Sequence, residues 1–85
     1  MFKLHSQLAQ DTVPVATLEL CQVLLMKDAR FPWLILVPQK SGLRELHDLA
    51  AGERIQLMEE ISVTSQVLER CHAPDKINVG ALGNL

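Results

Sequence analysis

The chain has 85 residues, of which 48% are hydrophobic and 21% are charged, and its formal net charge at pH 7 is −2. This composition is typical of one small folded domain with a thin core, and it excludes a disordered or fibrous chain. With no basic stripe and only one Trp and two Phe, a nucleic-acid-binding surface is not expected. The apolar excess predicts either a compact core or a surface that another segment or a partner covers.

Neither a membrane anchor nor a secretion signal is expected from the sequence. The apolar run at residues 34–37 is far shorter than the roughly 20 residues that cross a bilayer. The opening MFKLHSQLAQD has no apolar stretch followed by a small-residue cleavage site. We therefore expect a cytoplasmic protein without a membrane partner. Cys21 and Cys71 are then expected to be buried thiols in a reducing compartment, and neither a disulfide nor a metal site is expected.

The first third of the chain predicts a short helix followed by two strands. Leu4 and Leu8 have helical spacing, with Ser6 as the expected N-cap, and Asp11 and Pro14 end the pattern. Residues 13–20 alternate between apolar and polar side chains, which is a weak strand signal. The segment CQVLLMK at residues 21–27 is a stronger one.

A turn, a third strand and two helices follow. The segment DARFP favours a turn, because Asp28 initiates turns and Pro32 keeps the residue before it extended. Residues 33–38, WLILVP, are apolar on both faces and predict a covered strand in the middle of a sheet. Ser41 is the expected cap of a short helix over residues 43–49. A long helix is predicted from about Gly52 to His72.

The long helix predicts one apolar stripe and one charged outer face. The stripe contains Ile55, Met58, Ile61 and Leu68, with Leu57, Thr64 and Cys71 beside it. The residues assigned to the outer face are Glu53, Arg54, Glu59, Glu60, Glu69 and Arg70. The alternation of Ile77 and Val79 predicts a last strand over residues 77–82. These elements together describe an antiparallel sheet with a helix on one face, an α+β domain.

Few side chains have a context that favours chemistry. His5, His47 and His72 belong to three separate segments, and the simplest interpretation is that each faces solvent or caps a helix. Asp28 lies at the mouth of a turn, where a carboxylate could accept two hydrogen bonds from a diol. Asn78 interrupts an apolar strand and needs a polar partner, which could be a ligand. From the residues alone, an ordinary turn or edge position is the favoured interpretation for both.

Three segments of the chain, LLMKDARFPWLILVPQKSGLRELHDL, AGERIQLMEE and KINVGALGN, closely resemble the histidine triad (HIT) family, in its bacterial nucleotide hydrolase and transferase branch. The strand pair around PWLILVP and the KINV…LGN segment are the specific parts of this resemblance. It implies an antiparallel sheet with one long and one short helix packed on it. It also implies a homodimer with a continuous sheet.

The resemblance further implies an activity. Members of the family bind a purine nucleotide and cleave the bond at its α-phosphate, in nucleoside phosphoramidates or in dinucleoside polyphosphates such as diadenosine polyphosphates. A histidine attacks phosphorus, and water then resolves the nucleotidyl-histidine intermediate. No cofactor is implied.

Residue by residue, the resemblance assigns a nucleotide site. Asp28 matches the acidic residue that holds the ribose hydroxyls, and Met26 and Ala29 flank the base pocket. Leu4 and Leu8 of the N-terminal segment are assigned to the lining of the same pocket. Asn78 matches the family asparagine near the α-phosphate, and Asn84 matches a polar phosphate contact.

The signature that names the family, alternating histidines on one strand, is not among the 85 residues, and the three histidines present match none of its positions. We therefore expect residues 1–85 to be the N-terminal portion of a single HIT-like domain, incomplete at its C-terminus, with no catalytic residue of its own. We expect this chain to be inactive alone. Because its sheet would have an unpaired edge and an uncovered apolar face, we expect it to self-associate, to exchange segments or to be poorly stable. The alternative is a non-catalytic module for nucleotide binding or dimerisation.

Overall fold

The computed structural model of the chain describes residues 2–27, 32–74 and 76–81. Its three strands form one antiparallel sheet in the order β1-β2-β3, which confirms the predicted α+β class. In chain order the elements are α1 (Ser6–Asp11), β1 (Thr12–Thr17), β2 (Cys21–Met26), β3 (Leu34–Pro38), a 3-10 turn (Leu46–Asp48) and α2 (Ala51–His72).

The short helix α1 is capped by His5 and not by Ser6, so it begins one residue earlier than expected. Nδ1 of His5 accepts a hydrogen bond from the backbone N–H of Gln7 at 3.0 Å. The helix ends at Asp11 as predicted, because Thr12 is already extended and pairs with β2.

The weak alternation over residues 13–20 corresponds to β1, which forms a hairpin with β2. The backbone N–H of Leu18 donates to the carbonyl of Cys21 at 2.8 Å and closes this hairpin. The pairing register shifts between Pro14 and Ala16. Since proline has no N–H to donate, it is tolerated in a sheet at an edge or at a bulge, and β1 offers both.

The core lies on β2. Cys21, Val23 and Leu24 are at most 3% exposed, and Leu49 packs with the same low exposure. Within the described sheet, residues 33–38 do not take the covered middle position that the sequence predicts. β3 begins at Leu34, lies at one edge of the described sheet and is half-buried along its whole length. β2 takes the middle position because it pairs with a strand on each side.

The helix predicted over residues 43–49 is only one 3-10 turn, and its N-cap is Glu45 and not Ser41. The Asp48 carboxylate accepts hydrogen bonds from the backbone N–H groups of Glu45 and Arg44, at 2.9 and 3.2 Å. These two bonds hold the pKa of Asp48 below its usual value. The turn ends at Leu49, whose backbone is extended (φ −75°, ψ 145°), so the segment does not continue into a longer helix.

The long helix α2 runs from Ala51 to His72, in agreement with the predicted bounds. At its N-terminus the Glu53 carboxylate accepts the backbone N–H of Ala50 at 2.8 Å and also pairs with Lys40 at 2.6 Å. At its C-terminus Ala73 adopts a left-handed conformation, with φ of +43°, and Pro74 follows. Left-handed backbone and a proline are both common signals that end a helix.

The predicted faces of α2 are partly wrong. Ile55 and Met58, assigned to the inward stripe, are 73% and 62% exposed, whereas Glu60, assigned to the outer face, is only 4% exposed. Cys71 is exposed as well, against the expectation of a buried thiol. The half-buried side of the helix contains Leu57, Ile61, Thr64 and Leu68.

Glu60 turns inward because backbone N–H groups of the sheet meet its carboxylate. Oε2 accepts from the N–H of Leu20 at 2.8 Å, and Oε1 accepts from the N–H of Cys21 at 2.9 Å. The amide of Gln56 donates to Oε2 at 2.7 Å. Burial by itself opposes the charged carboxylate, but the hydrogen bonds from Gln56, Leu20 and Cys21 outweigh it, and the pKa of Glu60 is lowered.

The same contact makes the thiol of Cys21 unreactive. Burial, together with the neighbouring Glu60 carboxylate, raises the pKa of Cys21 to about 12. Only the thiolate is a nucleophile or a metal ligand, so this cysteine has a structural role.

The predicted last strand is not present where the structure can be described. Residues 76–81 have no regular secondary structure, and Leu82, the end of the predicted strand, lies outside the described residues. A strand exists only where its backbone pairs with another, and within the described sheet these residues have no such pairing.

The Glu60 contact predicts that removing the Glu60 carboxylate destabilises the domain far more than removing the carboxylate of its neighbour Glu59. We expect Glu60→Ala to lower the free energy of unfolding by about 2–4 kcal/mol, because the buried N–H groups of Leu20 and Cys21 lose their acceptor. Urea-induced unfolding, followed by circular dichroism, measures this change.

Glu59→Ala is the matched control, since Glu59 is the exposed neighbour of Glu60 on the same helix. It removes the same charge and the same number of atoms, and we expect a change within about 0.5 kcal/mol. Equal effects of the two substitutions would show that the buried carboxylate does not hold α2 on the sheet.

Candidate functional site

Four of the seven residues assigned to the nucleotide site lie in the described part of the chain. Leu4, Leu8 and Met26 are half-buried, and Asn78 is exposed. Asp28, Ala29 and Asn84 lie outside the described residues, so their assignment stays a prediction.

The structure brings Leu8 and Met26 to the same end of the sheet. Thr12, the first residue of β1, is 3% exposed and is the Cα partner of Met26 at the end of β2. The hydroxyl of Thr12 donates to the backbone carbonyl of Leu8 at 2.6 Å. One buried threonine therefore joins the helix that carries Leu8 to the strand that carries Met26.

Lys27 makes a second connection at this junction. Its backbone N–H donates to the carbonyl of Asp11 at 3.0 Å, and its ammonium donates to the carbonyl of Gln10 at the same distance. The last carbonyls of a helix have no partner within the helix, and a cation near them is favourable. Lys27 thus holds the C-terminal end of α1 against the end of β2.

The residues before and after segment 28–31 are both hydrogen-bonded at the junction of α1 and β2. Lys27 precedes that segment and is bound to α1, while the backbone N–H of Met26 donates to the carbonyl of Trp33 at 2.9 Å. Lys27, before this segment, is therefore bound to the end of α1, and Trp33, after it, is bound to the end of β2.

Asn78 is not joined to this junction within the described part of the chain. It lies in the irregular segment 76–81 with its side chain exposed, and among the described residues no hydrogen bond engages its amide. Leu4 precedes α1 and is half-buried. In the described residues, Leu8 and Met26 are thus both linked to Thr12, and no hydrogen bond links Asn78 to this junction.

The three histidines lie on three separate elements. His5 caps α1, His47 is exposed in the 3-10 turn, and His72 is exposed in the last turn of α2. This placement confirms that each of them faces solvent or caps a helix. In the ranges 2–27, 32–74 and 76–81, no group of three or more His, Cys, Asp or Glu side chains could hold a metal ion.

Sequence reasoning missed the residues that build the junction and hold the helix. Thr12 and Lys27 act through backbone carbonyls, and such contacts leave no mark in a hydrophobic pattern. The burial of Glu60 could have been predicted from its spacing. It lies one helical turn from Leu57 on one side and from Thr64 on the other, and both of these residues are on the half-buried side of α2.

Comparison with known proteins agrees with this architecture. A family model described as HIT domain matches residues 7–84, which is nearly the whole chain. The chain belongs to the HIT domain family. A comparison with curated proteins found no match.

Three crystal structures of bacterial histidine triad proteins are similar to this HIT domain, each with a TM-score of 0.95. The protein from Bradyrhizobium japonicum is 45% identical and the alignment covers 99% of this chain. The proteins from Sinorhizobium meliloti and Marinobacter aquaeolei are 42% and 45% identical, over 99% and 100% of this chain. The HIT domain described here spans 62–63% of the length of those three proteins.

No helix in the described part of the HIT domain is long and apolar enough to cross a membrane.

Proposed function

We propose that this HIT domain forms the nucleoside side of a nucleotide-binding site in a hydrolase or nucleotidyl transferase. The match to the HIT family over residues 7–84 is the observation that carries the proposal. The reaction is cleavage at the α-phosphate of a purine nucleotide, in a nucleoside phosphoramidate or a dinucleoside polyphosphate. A histidine nitrogen forms a bond to phosphorus as the leaving group departs, and water then breaks that bond and releases the nucleotide.

The junction between α1 and β2 supports the placement of the base and ribose. Leu8 and Met26 are half-buried apolar side chains that are both linked to Thr12, and Met26 lies two residues before Asp28 in the chain. We assign Leu4, Leu8, Met26 and Ala29 to the base pocket. Asp28, in the segment that starts at this junction, is assigned to the ribose hydroxyls.

The two asparagines are assigned to the phosphate. The exposed amide of Asn78 has donors and an acceptor available for a ligand, and Asn84 follows it in the same segment of the chain. Both roles are carried over from the family motif KINV…LGN.

The ribose assignment predicts a specific loss on Asp28→Ala. The Asp28 carboxylate is expected to accept two hydrogen bonds from the ribose diol. Because the variant loses both bonds, its affinity for adenosine monophosphate should be weaker by roughly tenfold or more. Isothermal titration calorimetry measures the affinity of the unmodified chain and of the variant. Binding of 2′,3′-dideoxyadenosine monophosphate should not change, because that ligand lacks the hydroxyls.

Glu59→Ala is the control for net charge, because it removes one exposed carboxylate elsewhere on the domain. It should leave adenosine monophosphate affinity unchanged. If Asp28→Ala leaves the ribonucleotide affinity unchanged too, or weakens both ligands equally, the ribose assignment is wrong.

The 85-residue chain by itself is not expected to turn over. Its three histidines occupy a helix cap, a 3-10 turn and a helix end, and none of these positions supplies alternating histidines on one strand. We expect no release of adenosine monophosphate from adenosine phosphoramidate, measured by chromatography. The same chain extended by the family's histidine-bearing strand should release it, and turnover by the 85 residues alone would contradict the proposal.

A second proposal concerns the assembly: the HIT domain forms a homodimer through the exposed apolar side chains of α2. Ile55 and Met58 are large, apolar and mostly exposed, one turn apart on this helix. Exposed apolar side chains that are clustered on one surface are typical of a protein–protein interface.

Ile55→Lys tests the assembly, because a charge in the centre of an apolar interface opposes association. We expect sedimentation velocity to show a dimer for the unmodified chain and a monomer for the variant. Val13→Lys places the same charge at an exposed valine of β1 and should leave the dimer intact. A monomer before substitution, or a dimer after it, would exclude this surface.

A further inference from the structure

The N-terminus of α1 depends on a hydrogen bond that exists in only one protonation state. Helices are most often capped by Ser, Thr, Asp or Asn, whose oxygens accept a hydrogen bond over the whole physiological pH range. Here the acceptor is Nδ1 of His5, 3.0 Å from the backbone nitrogen of Gln7. A neutral imidazole has one acceptor nitrogen, whereas the protonated ring has two donors and no acceptor. Protonation of His5 therefore abolishes the cap.

Little else stabilises this end of the helix. α1 has six residues, fewer than an isolated helix needs, and no acidic side chain lies in its first turn. The hydrogen bonds that connect α1 to the strands are at its opposite end, where Thr12 donates to the carbonyl of Leu8 and Lys27 donates to that of Gln10. The cap is thus the main side-chain contact that the described structure shows at the N-terminal end.

The charged groups around α1 do not replace the cap. Asp11 accepts a hydrogen bond from the Gln7 side chain at 2.7 Å, which runs from the first turn of α1 to its last residue, and Lys27 binds the last carbonyls. Neither group supplies an acceptor for the backbone N–H groups at the N-terminal end. β1, the strand packed against α1, has no titratable side chain. Lys3 lies two residues before His5, and within the described residues no ion pair involves His5.

We propose that His5 is a pH-sensitive cap that holds α1 in place only while its ring is neutral. Histidine side chains change charge between about pH 5 and 8. As the pH falls, α1 loses an acceptor and gains a positive charge at the end where its backbone N–H groups point, which is unfavourable. The stabilisation is therefore present at the higher pH and lost as the pH falls.

The inference goes beyond the proposed function. α1 carries Leu8, so acid-induced fraying of α1 displaces a side chain that we assign to the base pocket. The conformational claim itself does not depend on nucleotide binding, and its test uses no nucleotide. A failure of the nucleotide proposal therefore leaves this test unaffected.

Hydrogen exchange of backbone amides, measured by NMR on the 85-residue chain, tests the cap. Rates are divided by the intrinsic exchange rate at each pH, and His47→Gln with His72→Gln in the background removes the other two histidines. We expect the protection of the α1 amides to fall by roughly fivefold from pH 8 to pH 5, which is the effect of losing one N-cap. The Gln7 amide shift should follow the same titration as the His5 ring.

Two substitutions complete the experiment. His5→Ser supplies a cap that does not titrate and should keep α1 protected at both pH values, whereas His5→Ala should leave it poorly protected at both. The unmodified histidine should resemble the serine variant at pH 8 and the alanine variant at pH 5. The amide of Leu24 in the core strand β2 should stay protected throughout, as evidence that the domain remains folded.

The proposal is overturned if α1 protection is the same at pH 5 and pH 8. It is equally overturned if His5→Ser shows the same loss at pH 5, or if Leu24 loses protection in parallel with α1.

Discussion

The arrangement of this domain depends on one buried carboxylate. Glu60 of α2 accepts the backbone N–H groups of Leu20 and Cys21, at 2.8 and 2.9 Å, where the chain enters the central strand β2. A charge at 4% exposure is tolerated only when its oxygens are hydrogen-bonded, and here Gln56 adds a third donor. The position and the rotation of the helix on the sheet follow from this contact.

Glu60 also explains the unusual surface of α2. Turning a carboxylate inward rotates Ile55 and Met58 outward, although their spacing alone favours burial. A domain of this size has few large apolar side chains to spare, so leaving two of them exposed is costly unless another surface covers them. The same contact that fixes the helix thus creates the surface that we assign to a homodimer.

A second region, away from Glu60, organises the proposed nucleotide site. Thr12 and Lys27 bind backbone carbonyls of α1 and fasten this helix to the end of β2. The short helix would have little stability alone, so its position is set by these bonds and by the His5 cap. Leu8 and Met26 are thus each connected to Thr12, Leu8 by a hydrogen bond to its carbonyl and Met26 by strand pairing.

The sequence determined the strands β1 and β2, the extent of α2 and the C-terminal end of α1, because each has a local cause: alternation, helical spacing, or a residue that breaks the pattern. The sequence motifs were also sufficient to identify the HIT family. Tertiary structure alone decided which side of α2 faces the sheet, which strand lies in the middle, and whether residues 76–81 pair. Those outcomes depend on partners distant in the chain, such as Glu60 and Cys21, and a local pattern holds no information about which distant backbone groups need an acceptor.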